Sequence, residues 1–156
     1  MRDKIQLQGI PTPVIWVPRP FLLQQETTGA SLSTGAGLSQ LIQIPATLSV
    51  TKVELYLQGA ASIEIGFSTD VGPVGPSASA VSLSSASWVT FLWTGARPLL
   101  APGDIYLVLA LTSPPHANWF YGTASGGILF QDSTRCAYHL GTTPRPDDDF
   151  CFRIYP

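Results

Sequence analysis

Side chains in the stretch "VTKVELYL" change character at every second position: Val53, Leu55 and Leu57 alternate with Lys52, Glu54 and Tyr56. Successive side chains of an extended strand point to opposite faces, so this spacing describes a strand covered on one face and wet on the other. "SIEIGF" repeats it, with Ile63, Ile65 and Phe67 on the covered side and Glu64 outside. "SWVTFLW" is aromatic and β-branched, the composition that strand interiors favour. "IYLVLAL" is apolar at every position, which places it mid-sheet. "ANWFYG", "ILFQ", "RCAYHL" and "FCFRIY" follow, separated by Pro, Gly, Ser and Asp clusters. No window of helical length carries a 3.6-residue period, and 14 glycines and 14 prolines interrupt those that come near. The expectation is an all-β domain of antiparallel strands, a β-sandwich or jelly roll.

A chain of 156 residues is most simply one domain. Charged residues make up 12% of it and hydrophobic ones 45%. That charge content is about half of the ~25% usual for soluble domains. A surface so poor in charge implies that part of it is covered by further copies or by a larger assembly. The net charge of −2 supplies no basic footprint for nucleic acid. No stretch approaches the ~20 apolar residues that span a bilayer. After the opening "MRDKIQLQGIPTP" no apolar run of the kind found in a secretory leader follows, so none is expected. Cys136 and Cys151 are too few for a disulfide framework. They either face each other on neighbouring strands or remain two reduced, buried thiols.

Three segments are expected. Residues 1–25 form an extended apolar arm with Pro11, Pro13, Pro18 and Pro20; prolines at that density remove ladder donors and exclude a central strand. Val14, Ile15, Trp16, Val17, Phe21 and Leu22 are nonetheless too apolar for a solvated tail. The arm lies either along the edge of its own sandwich or on a neighbouring subunit, where a stiff backbone lowers the cost of ordering. Residues 26–40, "ETTGASLSTGAGLSQ", read as a flexible connection, and 41–156 as the sandwich domain. Within the latter, residues 70–87, "DVGPVGPSASAVSLSSAS", read as a long loop with one short strand in it.

Candidate sites are few. Asp147, Asp148 and Asp149 precede the last strand; neighbours in an extended chain point to opposite sides, so the cluster reads as a turn, with a Ca²⁺ site gathered by a loop as the rival. His116 and His139 show no metal-ligand spacing, and there is neither a nucleophile elbow nor a phosphate-binding glycine loop. No catalytic residue and no cofactor is assigned. Sugar binding calls for aromatic faces beside a few polar groups. "HANWFYG" offers Trp119 and Tyr121 on one strand face, with His116 and Asn118 before them; the competing reading buries both rings in the core.

The second half carries a resemblance. A strand with Trp88, Val89 and Phe91 precedes a turn with Leu100, Pro102, Gly103 and Tyr106. Trp119 and Tyr121, then Gly126 and Gly127, and finally Asp149, Phe150, Phe152, Arg153 and Tyr155 follow. About two-thirds of the chain thus resembles the jelly-roll, lectin-like β-sandwich domains of phage tail, fibre and capsid-decoration proteins and of bacterial surface and secreted proteins. The likeness implies a structural virion protein, a capsid-decoration (cement) or tail-associated subunit made in a host cytoplasm. Its partners would be further copies of itself, in a trimer or another symmetric oligomer, and major capsid or tail proteins. A carbohydrate- or receptor-binding module is the alternative. Pro102 and Gly103 have their own physical reading, since Pro presets φ and Gly accepts φ > 0 in a turn before a strand.

Overall fold

A computed structural model describes residues 23–26, 28–34, 37–109, 114–123, 138–140, 143–145 and 148–156. Its regular elements are all strands, and every strand pair is antiparallel. One sheet contains β1 (Leu23–Gln25), β2 (Ala30–Ser33), β5 (Lys52–Gln58), β8 (Ser87–Leu92), β11 (Asn118–Thr123), β14 (Asp148–Phe150) and β15 (Phe152–Tyr155). Here β5 is the hub, pairing with β8 on one side and with β15 and then β11 on the other. The second sheet runs β13 (Thr143–Arg145), β12 (Tyr138–Leu140), β3 (Leu38–Ile44), β10 (Gly103–Leu109), β6 (Ser62–Thr69), β7 (Gly72–Val81). A short pair, β4 (Leu48–Ser49) with β9 (Leu99–Leu100), stands apart.

The alternation foreseen in the sequence decides which face of each sheet is buried. Val53, Leu55 and Leu57 of β5 and Ile63, Ile65 and Phe67 of β6 all point inward. Ile105, Leu107 and Leu109 of β10, which does lie mid-sheet between β3 and β6, join them, and the two sheets share one apolar core. The molecule is therefore all-β and sandwich-like. Gly103, opening β10, takes φ 130°, a conformation that suits glycine.

Three segments differ from expectation. Residues 72–81, expected mostly as loop, form β7, the longest strand described. Pro73 and Pro76 are compatible with it because β7 is an edge, pairing only with β6, where a missing donor costs the sheet nothing. A register shift between Ile65 and Phe67 accommodates Gly75, whose φ is 72°. Residues 26–40, expected as a flexible connection, contain β2 and the start of β3. Their order comes from partners distant in sequence: Thr34 N donates to Ala117 O at 2.8 Å, and Ala117 N donates back to Thr34 Oγ1 at 3.1 Å. Finally, Asp148 and Asp149 belong to β14 and not to a turn.

Of the arm, Leu23–Gln25 pairs along β15 of the same chain, with Leu23 opposite Ile154 and Gln25 opposite Phe152. Val14, Ile15, Trp16, Val17, Phe21 and Leu22 lie outside the described residues, as does Cys136; Cys151 is buried.

Candidate functional site

If Val53, Leu55 and Leu57 face the core, Lys52, Glu54 and Tyr56 must face away from it. Residues directly opposite each other on paired strands share a face, so the register extends this outer surface sideways. Tyr155, Lys52 and Leu92 form one row, and Arg153, Glu54 and Thr90 the next. Tyr56 and Trp88 form a third, and Phe120 of β11 packs beside them.

Glu54 is the centre of the polar part. The Tyr155 hydroxyl donates to its Oε2 at 2.7 Å, Lys52 Nζ donates to Oε1 at 3.0 Å, and Arg153 Nη1 donates to Oε2 at 3.3 Å. Burial pushes this carboxyl up, but the hydrogen bonds from Tyr155, Lys52 and Arg153 outweigh it and hold the group below the usual carboxylate range. Burial and the hydrogen bond to Glu54 both push the Tyr155 phenol up. Arg153 Nε also donates to Glu26 Oε1 at 2.5 Å, tying the segment after β1 to the same cluster.

The aromatic part is braced by the same cations. Arg153 lies over the Trp88 ring at 3.9 Å, and Lys52 over the Tyr155 ring at 3.7 Å. Tyr56 stands between Trp88 and Phe120, 5.3 Å from each ring centre. Offset and edge-on contacts of this kind add ~0.5–1.5 kcal/mol each, and cation–π contacts ~0.5–1 kcal/mol where exposed. The result is a preordered surface in which Tyr56, Trp88, Phe120, Arg153 and Tyr155 are half-buried and Leu92 is 58% exposed. Tyr, Trp and Arg are the residue types that concentrate binding energy at protein interfaces.

Of the residues singled out from sequence, Trp119 and Tyr121 share one face and pack on the same ring, without forming an open site with His116 and Asn118. Trp119 is fully buried and stacks on Phe150 at 3.9 Å and 6°. Its indole N–H donates to Cys151 O at 2.9 Å. Tyr121 shares its face and packs edge-on against Phe150, while His116 and Asn118 are exposed. No face of Trp119 remains for a sugar. The outward ring of "NWFYG" is Phe120, which the sequence reading passed over. The signal that would have found it is the alternation itself, read with Trp119 inward.

Asp149 is buried between the layers, where Gln40 Nε2 of β3 donates to its Oδ1 at 2.8 Å. Gln40 Oε1 in turn accepts from Phe150 N at 2.8 Å. Asp147 lies outside the described residues, and among those described no three His, Cys, Asp or Glu side chains gather as a metal site. The outer face of the second sheet carries a hollow of about 240 Å³ lined by Glu64, Gly66, Ser68, Pro73, Ser77 and Val108. That is below the ~300–1,000 Å³ of typical small-molecule sites.

No protein-family model matches the chain, and no curated protein is significantly similar to it.

Proposed function

We propose that this protein is a structural subunit of a virion, of the capsid-decoration or tail-associated kind, with a jelly-roll body that acts through contacts and not through catalysis. Its contacts would be with further copies of itself and with major capsid or tail proteins. The observation that carries this reading is the outer face built on β5, where Trp88, Arg153, Tyr56 and Tyr155 are held in place by their own mutual contacts. A surface ordered in advance loses little side-chain freedom when a partner covers it. Each Å² of apolar area removed from water there contributes about 25 cal/mol before the cost of association is subtracted. The 12% charge content, which leaves little to keep such a surface wet, points the same way.

The same face also favours a second reading, a carbohydrate- or receptor-binding module, because Trp88 and Tyr56 stand beside the polar groups of Glu54 and Arg153. Light scattering of the purified full chain separates the two. A structural subunit elutes as a symmetric oligomer of fixed mass. A monomer at all concentrations that binds glycans, and loses them on Trp88→Ala, would replace the first reading with the second.

A further inference from the structure

Resting on the self-assembly reading above, we infer that the outer face built on β5 receives the proline-rich segment 11–22 of a second copy of this chain. The position of Leu23 points to this. β1 runs antiparallel to β15 with Leu23 opposite Ile154, so β1 begins at the end of the sheet where Tyr155, Lys52 and Leu92 stand. At Leu23, β1 traced backwards points away from Trp88 and Phe120, so a segment covering the face of its own chain would need a reversal ahead of Leu23. The sequence disfavours a reversal within this segment: residues that precede proline, here Val17 and Arg19, are biased to extended backbone, and a proline's own φ is preset. A neighbour's face is therefore the accessible one.

The two surfaces suit each other. Twelve residues at about 3.1 Å each span roughly 37 Å. The face from Lys52 to Tyr56 extends four residues at about 3.3 Å, or roughly 13 Å, so reach is ample. Proline-rich segments dock on aromatic surfaces because their backbone is already extended and loses little entropy. Ile15, Trp16, Val17 and Phe21 would cover Tyr56, Trp88 and Leu92. Arg19 is the cation within the segment, and the Glu26 carboxylate, paired with Arg153 and still 44% exposed, lies on the β1 side of the face.

The test uses the full chain with the photo-crosslinking analogue p-benzoylphenylalanine in place of Trp16. Equal amounts of ¹⁴N- and ¹⁵N-labelled chains are mixed in urea, refolded together so that copies assort at random, irradiated and digested, and joined peptides are read by mass spectrometry. The expected product joins the segment around position 16 to peptides containing Trp88 or Phe120, with mixed isotopes marking contact between copies. Val17→Asp, in the segment, and Trp88→Ala, on the face, should each lower the yield of that product on the order of tenfold, the effect of losing a central interface contact. Val17→Asp keeps the test meaningful should Trp88→Ala unfold the body. Joined peptides of a single isotope only, or joined to the other sheet, would overturn the inference while an oligomeric mass left the assembly reading standing. A monomeric mass would overturn both.

Discussion

Trp119→Ala separates an inward from an outward reading of "NWFYG" by magnitude. The indole is fully buried, stacks flat on Phe150, and donates to Cys151 O at 2.9 Å. A buried tryptophan removes ~150–250 Å² from water, worth about 4–6 kcal/mol at 25 cal/mol per Å², of which alanine keeps a small part. The lost hydrogen bond contributes about 1 kcal/mol. Partial collapse of the cavity returns some of this, so the expected cost is about 3–5 kcal/mol. That is a large fraction of the ~5–15 kcal/mol by which a domain is stable. Followed by far-UV circular dichroism in urea, with a slope of about 2 kcal/mol per M, the midpoint should fall by roughly 1.5–2.5 M. Trp88→Ala loses one cation–π contact and one ring contact on a half-exposed face, about 1–2 kcal/mol, and should shift the midpoint by less than ~1 M. Trp119→Phe should fall between them. If Trp119→Ala moved the midpoint less than Trp88→Ala does, the orientation of β11, and with it the location of the candidate face, would be wrong.

Other expectations follow from the same geometry. Gly75→Ala places a Cβ 2.8 Å from Pro98 Cα at a φ of 72°, and should lower stability by about 1–3 kcal/mol in thermal melts, whereas Gly95→Ala, with nothing within 4 Å, should stay within about 0.5 kcal/mol. Glu54 titrates below its ordinary value when folded, so its contribution is present above the ordinary carboxyl pKa and is lost as pH falls through the lower folded value. Glu54→Gln should therefore flatten the acid side of the stability profile, and an unchanged slope would show that the hydrogen bonds from Tyr155 and Lys52 do not set it. Gln40→Met removes the bonds to Asp149 and from Phe150 N and should cost about 2–4 kcal/mol in urea denaturation; a neutral result would show that the interlayer tie is not structural. Millimolar Ca²⁺ should leave the melting temperature unmoved, and a rise abolished by Asp149→Asn would restore the cation site.

How much was legible depended on whether each strand carried a polar residue to phase it. In β5, Lys52 and Glu54 mark the outer face and leave the inner one unambiguous. In "FCFRIY", Arg153 does the same, and Phe152 and Ile154 are inward as the alternation requires. "NWFYG" holds three rings in a row, and composition alone cannot say which of them turns out. Its phase is set by pairing, with Trp119 opposite Leu57 of β5, a contact across 62 residues of chain. The Gly/Ser/Thr-rich segments failed for a related reason. β2 has little apolar surface of its own and is held by backbone bonds to β11, while β7 is permitted its prolines only because it is an edge. Neither fact is local.

The aspartate cluster shows what a distant partner settles and alternation alone does not. Asp149 and its neighbour Phe150 in β14 are both buried, so the strand's two-residue period does not by itself account for the buried carboxylate. A carboxylate there needs donors, because an uncompensated buried charge costs several kcal/mol. The inward row of β3 reads Leu38, Gln40, Ile42, Ile44, and Gln40 is its one polar member, fully buried. A buried polar side chain needs hydrogen-bond partners, and Gln40 finds them in Asp149, across 109 positions of sequence, and in the Phe150 N–H. Slipping β3 by one residue would turn Gln40 to the outer face together with Leu38, Ile42 and Ile44, and take that donor away from Asp149. The tie thus reinforces the register that the apolar row of β3 already favours.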